Sequence, residues 1–331
     1  MVAAAILTAG VGREAKAIDP AEVDWKIQPS PVAEAAEVLR SLRAAVQEVP
    51  LEKKRARNTF FGPKPYRLAT AKGLIFANTD IPFVVRTNKD DGLSPKAGPV
   101  QAGSGEFPWQ VALLHPEYGI LFCGGSHIGK GWIVTAAHCI YDQYGEQLMK
   151  NDLVVLTSTN SLVNGGHRVP LIQDPLVHSS YDPITKSNDI ALLRIQEMPT
   201  LDQAAVPTIA VDKSLTFQGS QLILSGWGET AEDGSISTIL LKVGVPIVST
   251  EQCAQIYPDK GIGSSRLCAG AAGRDACDGD SGGPLSAKSG SDSQIFGIVS
   301  FGNGCGRAGY PSVYTRTSAF RDWISQTTGL P

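Results

Sequence analysis

No cysteine precedes Cys123 in this 331-residue sequence, and no histidine follows His178. No two cysteines stand in a CxxC pair, which removes the commonest zinc spacing. No apolar run approaches the roughly 18 residues of a membrane-spanning helix. Charge is sparse too: charged residues make up 18% and the net charge is −3, so nothing draws the whole chain to nucleic acid or to an anionic membrane. At 42%, the apolar content excludes wholesale disorder. The opening stretch MVAAAILTAGVG lacks a basic leader, so it carries only a weak signal-peptide character.

What is present divides near residue 96. Residues 1–96 read as a pro-segment or linker region, partly helical. Ser30 can cap a helix, Pro31 suits its first turn, Val32, Ala36, Leu39 and Val46 share a face, and Pro50 ends it. The basic run Lys53-Lys54-Arg55-Ala56-Arg57 reads as a solvated linker, or as a processing site within a pro-segment. Residues 89–105 have a linker composition of Gly, Pro, Ser and charge. Beyond Phe107 come short apolar runs punctuated by glycine: WQVALL, GWIVTAA, DLVVLTS, IALLRI, LILSGW, IFGIVSFG and SVYTR. Such spacing predicts a β sandwich or barrel. Phe320, Trp323 and Ile324 have helical spacing and predict a C-terminal helix.

Gly279-Asp280-Ser281-Gly282-Gly283-Pro284 carries the chemistry. A serine hydroxyl needs a base to remove its proton and amides to hold the oxyanion. Glycines on either side allow the tight turn that gathers those amides. An α/β-hydrolase would need a histidine after the serine, and none follows. The base is therefore one of His115, His127, His138, His167 and His178. His138 follows the apolar Trp132-Ile133-Val134 among small residues, at a strand end where a ring can face a cleft. Asp189 begins the buried run Ile190-Ala191-Leu192-Leu193, where a carboxylate needs a partner, and an imidazole N–H supplies one. The order His, Asp, Ser also excludes the subtilisin arrangement. Cys123, His127, His138 and Cys139 match no zinc spacing, so neither a metal nor a cofactor is expected. Six cysteines, an even number, suggest three disulfides and an oxidising compartment, although 15 pairings are open.

The blocks TAAHC, NDIALL and CDGDSGGP, with their triad positions 51 and 92 residues apart, resemble the signatures of the chymotrypsin/trypsin family of serine proteases. The likeness covers residues 105 to 331. It implies an all-β fold of two six-stranded antiparallel barrels with a C-terminal helix, within a protease domain at 97–331 split at about 211/212. It implies His138 as general base, Asp189 as its orienting acid and Ser281 as nucleophile, with the N–H groups of Gly279 and Ser281 as the oxyanion hole. The family pattern selects Cys123–Cys139, Cys253–Cys268 and Cys277–Cys305. Ser300 and Gly302 would bind substrate backbone, with Phe301 in place of the usual Trp. Asp275 would lie at the base of the specificity pocket and select Lys or Arg, Tyr257 matches a pocket residue, and Ser312 replaces a wall glycine. Asp278 stands at the pocket mouth and would disfavour acidic substrate side chains. The implied partners are protein or peptide substrates with Lys or Arg before the scissile bond, and protein protease inhibitors, in a secreted, extracellular or periplasmic setting.

One block is missing. The family's activation sequence Ile-Val-Gly-Gly falls on Lys96-Ala97-Gly98-Pro99. In the family, cleavage frees an α-amino group that pairs with the acid before the serine, here Asp280. Cleavage after Lys96, Arg86 or Lys89 are the options. The break keeps a rival reading in view, a noncatalytic homologue acting as a binding or adaptor module.

Overall fold

The computed structural model describes residues 98–198, 201, 207–209, 217–289 and 292–331. The expected N-terminal helix, the basic run, and Lys96 and Ala97 lie outside these residues.

Two antiparallel β systems follow each other along the chain. The first contains β2 (Gln110–Leu114), β3 (Leu121–Gly129), β4 (Trp132–Thr135), β5 (Val154–Thr157), β6 (His167–Pro170), β7 (Leu176–Val177) and β8 (Ala191–Arg194), in the order β6-β5-β2-β3-β4-β8-β7. Among the described residues, its edges are joined where Leu171, just past β6, bridges Ile195, just past β8. The Ile172 N–H donates to the Arg194 carbonyl at 2.9 Å beside that bridge. The second contains β10 (Gln221–Gly226), β11 (Leu241–Val248), β12 (Arg266–Ala269), β13 (Pro284–Ser289), β14 (Asp292–Phe301) and β15 (Ser312–Arg316). Here β11 also pairs β12, which closes a six-stranded barrel. The mostly-β barrel fold implied by the resemblance is thus present, with the second barrel fully closed and the first drawn together by one bridge. Two short strands join the second system: β1 (Val100–Gln101) pairs β11, and β9 (Thr208–Ile209) runs parallel to β14.

Alternation explains these strands. In β11 the inward residues Val243, Val245 and Ile247 are buried while their neighbours are half-exposed. The strands β2 and β4 are buried along their whole length, so they lack alternation and read as continuous apolar runs. Val111, Leu113, Ile133, Leu192 and Leu193 fill the first core, and Leu222, Leu224, Leu285 and Tyr314 the second. Each fully buried aliphatic side chain contributes about 1.5–3 kcal/mol.

Two short α-helices are described along their whole length. In α1 (Thr250–Ile256) the Ser249 side chain accepts from the Gln252 N–H, satisfying one unpaired end amide. The C-terminal helix α2 (Arg321–Thr328) is entered through a 3-10 turn at Thr317–Phe320 and stopped by Gly329 at φ 69°. Phe320 and Ile324 are buried in the first core, with Trp323 packed alongside. The chain end therefore ties back onto the opposite barrel from the one it leaves.

Candidate active site

His138 lies on a buried 3-10 turn, Ala137–Ile140, that follows β4 directly. Small neighbours and the Cys123–Cys139 disulfide fix this turn against β3. Asp189 precedes β8, which pairs β4, so strand pairing brings the two residues together from 51 positions apart. Asp189 accepts from the His138 N–H through Oδ1 at 2.8 Å, and its Oδ2 lies 2.8 Å from His138 Nδ1. His138 is 7% exposed and Asp189 fully buried. Burial alone would push the Asp189 carboxyl upward. The charge and hydrogen bond of His138, the charge of Lys186 and a 2.5 Å bond from Ser300 Oγ overcome it and hold the carboxyl below its ordinary value.

The other histidines are placed elsewhere. His115 stacks on Tyr118, His167 is on the exposed strand β6, and His178 packs against Phe320 and Trp323. His127 is buried within β3.

Ser281 sits in a turn that only glycine permits. Gly279 has φ 98° and Gly282 φ 77°. A Cβ on Gly282 would come within 2.2 Å of Thr135 Oγ1, and one on Gly279 within 2.6 Å of Ile236 Cδ1. Within the turn, the Asp280 N–H donates to Cys277, that of Gly282 to Val299 and that of Gly283 to Asp280. The N–H groups of Gly279 and Ser281 donate to no protein acceptor among the described residues. Two unspent donors flanking one serine form an anion-binding arrangement. The Ser281 hydroxyl makes no hydrogen bond to His138 here. The ring's Nε2 faces Cys139 Sγ at 3.9 Å. Such contacts commonly tighten only with substrate bound.

Cys123, His138 and Cys139 place their ligand atoms within 4.8 Å of one another. The two sulfurs are bonded to each other, so no thiolate is available there for a metal. The remaining bonds are Cys253–Cys268 and Cys277–Cys305, the pairing that the resemblance implied.

Asp275 precedes Ser281 by six residues. Its Oδ1 accepts from the Ala276 N–H at 2.9 Å and the Ser312 N–H at 3.2 Å, and the Ser312 side chain adds a further hydrogen bond. Burial outweighs these bonds and pushes the carboxyl up to about 6. Gly270 is required beside it, since a Cβ there would sit 2.6 Å from Asp275 Oδ1. Ser312 is buried, and its Oγ would lie 3.1 Å from a Cβ at Gly302. Tyr257 donates to the Pro311 carbonyl at 2.9 Å and packs edge-on to Phe301. Asp278 is exposed, and its carbonyl accepts from the Glu229 N–H.

Asp280 is buried and lines one small cavity together with Asp275. It accepts from the Gly228 N–H at 2.8 Å and the Cys277 N–H at 3.1 Å, and burial pushes it up to about 6. Gly226 and Gly228 leave it room, as a Cβ on either would fall within 2.5 Å of the carboxylate. A cavity of about 30 Å³ at this carboxylate is lined by Pro99, Gly228 and Lys242 among others. Lys242 itself pairs with Glu106 at 2.5 Å. No cation pairs with Asp275 or Asp280 among the described residues.

Three residues around the site carry no local signal in the sequence. Thr315 Oγ1 donates to the Asp189 carbonyl from the other barrel at 2.7 Å. Arg266 donates to the carbonyls of Lys260 and Thr185 and to Ser187 Oγ, which pins the loop before Asp189. Lys186 stands on that loop. Their partners lie up to 126 positions away, beyond any local signal.

The family model described as Trypsin matches residues 97–324. Among curated relatives, Trypsin-1 of Astacus astacus is 36% identical over 231 residues, covering 69% of this chain and 97% of the relative. Trypsin I-P1 of Gallus gallus is 32% identical over 255 residues, covering 76% and 95%. Trypsin of Phaedon cochleariae is 35% identical over 229 residues, covering 68% and 85%. With that extent of similarity over these two barrels, the chain belongs to the chymotrypsin/trypsin family of serine proteases.

Proposed function

We propose that the protein is a secreted serine endopeptidase that cleaves after Lys or Arg through an acyl-enzyme. The buried His138–Asp189 pair, beside a serine whose flanking N–H groups are unspent, carries this reading. Ser281 Oγ attacks the scissile carbonyl carbon, and His138 takes its proton. The carbonyl oxygen becomes an oxyanion held by the Gly279 and Ser281 N–H groups. His138 then returns the proton to the departing amine, the C–N bond breaks, and an ester to Ser281 remains. Water, deprotonated by His138, attacks that ester and frees the acid and the serine. Asp189 holds the ring in one tautomer and offsets its positive charge.

Selectivity rests on Asp275. A carboxylate held at about 6 by burial, with no cation beside it, is relieved by a lysine or arginine side chain of a substrate. Three disulfides suit an oxidising, extracellular or periplasmic setting. No helix among the described residues is long and apolar enough to cross a membrane. Residues 1–96 act as a pro-segment. Activation supplies a cation to Asp280, either a new terminus near Ala97 or the Lys96 side chain of the intact chain. Protein protease inhibitors that present Lys or Arg would occupy the same cleft.

The test is active-site labelling by an organophosphonate, with peptide turnover. Parent protein should be labelled at Ser281 and Ser281→Ala should not, with turnover reduced about 10⁴-fold or more. The rival, a noncatalytic homologue, draws on the missing Ile-Val-Gly-Gly and the unmet Asp280 charge. It predicts neither label nor turnover after any processing near Lys96.

A further inference from the structure

Asparagine followed by glycine occurs twice in the sequence, at Asn164-Gly165 and at Asn303-Gly304. A glycine has no Cβ to shield its backbone nitrogen, which can reach back to the asparagine side chain and close an imide ring. The two pairs differ in what surrounds the side-chain amide. Asn164 is exposed and held through its backbone. Its N–H donates to Ser161 Oγ at 3.1 Å, and its carbonyl accepts from Thr159 Oγ1 at 3.0 Å. Its side-chain amide has no hydrogen bond among the described residues.

Asn303 is also exposed, in the turn between β14 and β15, but its Oδ1 accepts from Arg307 Nη1 at 3.3 Å. Glu232 orients that guanidinium, accepting from Nε at 2.8 Å and also from Nη2. The same guanidinium packs on Gly304, where an added Cβ would collide with Arg307 Nε. The Gly304 N–H donates to no acceptor among the described residues. An unspent nitrogen, a polarised amide carbonyl and a cation at the oxygen that will carry charge are the parts of an intramolecular acyl transfer.

We infer that Asn303 is a site of spontaneous deamidation, promoted by Arg307, whose isoaspartate product disturbs the setting of Asp275. The Gly304 nitrogen loses its proton to solvent and bonds to Asn303 Cγ, while Arg307 Nη1 holds the oxygen that becomes negative. The Cγ–Nδ2 bond breaks, and ammonia leaves with a proton from water. Water then opens the imide at one carbonyl or the other. The products are aspartate and isoaspartate, the second with an extra methylene in the main chain.

Asp275 is tied to this turn through the backbone. The Gly306 N–H donates to Asp275, and the Gly306 carbonyl accepts from the Gly273 N–H at 3.0 Å. Cys305 is bonded to Cys277, and the Asn303 backbone hydrogen-bonds the Tyr257 hydroxyl. An extra methylene at position 303 displaces these amides, whereas aspartate keeps the chain length and pairs with Arg307. The effect on cleavage rests on the proposed selection of Lys or Arg by Asp275; the modification itself does not.

Ser281→Ala protein, in which self-digestion is removed, is kept folded at neutral pH over weeks and sampled by peptide mass spectrometry. Conversion at Asn303 should outpace that at Asn164 about two- to fivefold, the span that an exposed charged hydrogen bond supports. Arg307→Gln should slow Asn303 by that factor and leave Asn164 unchanged, whereas a general loosening of the fold would speed both. In aged active enzyme, the isoaspartate fraction isolated by ion exchange should lose kcat/KM on Lys and Arg peptides about tenfold or more. Equal conversion at the two asparagines, or Arg307→Gln as fast as the parent, overturns the inference. An isoaspartate fraction with parent kcat/KM overturns the link to Asp275. Fresh enzyme that cleaves none of the peptides overturns the peptidase reading and leaves the mass-spectrometric result standing.

Discussion

Replacing Asp275 by Asn isolates the electrostatic part of the proposed specificity pocket. In the empty pocket, burial lifts this carboxyl from 3.8 to about 6, despite hydrogen bonds from Ala276 and Ser312. That rise corresponds to about 3 kcal/mol by which the charged form is disfavoured, and nearer 2 once solvent at the pocket mouth is allowed for. A substrate ammonium that enters the pocket recovers this energy, and a norleucine of the same shape does not. The Lys-over-norleucine ratio in kcat/KM should therefore fall by about 30- to 150-fold in Asp275→Asn. Taking a ratio cancels His138, whose protonation affects both substrates alike. At pH 5 about a tenth of the empty-pocket carboxyls are ionised, so lysine must also expel a proton on binding. The parent ratio should climb between pH 5 and 7 and then level off, while that of Asp275→Asn stays flat. Paired substrates assayed from pH 5 to 9 supply the measurement. A parent ratio independent of pH, or an Asn variant that keeps its preference, would falsify the assignment of Asp275 as the charge that selects the substrate.

Other outcomes follow from the same geometry. Asp275 and Asp280 both have raised values, so their share of stability is full below pH 3.8 and lost as pH rises through about 6. A small amidinium ligand should accordingly raise Tm in Ser281→Ala protein more at pH 7.5 than at pH 5, and equal shifts at both would count against it. Ser312→Gly widens the pocket wall and removes one hydrogen bond from Asp275, so the Arg/Lys ratio should rise severalfold in peptide-library profiling. Gly282→Ala puts a Cβ 2.2 Å from Thr135 Oγ1, so labelling by the organophosphonate should drop by at least about 10²-fold, even where the variant folds. Lys96→Gln should block appearance of a terminus near Ala97, or lower activity of the intact chain. Parent-like activity with no such terminus would remove both versions of activation.

Much of the site was legible because its chemistry is packed into short blocks. Gly279 to Gly283 form one tight turn, and glycine is demanded there by φ values and close approaches that no other residue tolerates. Asp189 could be picked out because a charge at the head of an all-apolar strand needs a partner. The strands β2 and β4 stood out as apolar runs, and the C-terminal helix as a spaced aromatic and aliphatic set. What could not be read is long-range. Thr315 and Arg266 sit in strands whose partners are set by barrel closure, 126 and 81 positions away. The residues alone left 15 disulfide pairings open, and only the family pattern chose among them. Nor does periodicity reveal that the first barrel's edges touch at one bridge, since Leu171 and Ile195 look like any strand-end residues.

The hydroxyls that reach Asp189 from Ser300 and Thr315 have a consequence for how the molecule becomes competent. His138 and Asp189 are contributed by one barrel, while Ser281 and both hydroxyl donors come from the other. The first core is itself completed by Phe320 and Ile324 from the far end of the chain. Catalytic competence is then a property of the seam, created only when the halves dock in register. During refolding, labelling of Ser281 should lag behind the return of strand signal in each half, and the lag reads out docking alone. Fragments cut between the barrels would be inert singly and regain reactivity on mixing, so the enzyme's own chemistry works as a sensor of its final assembly step.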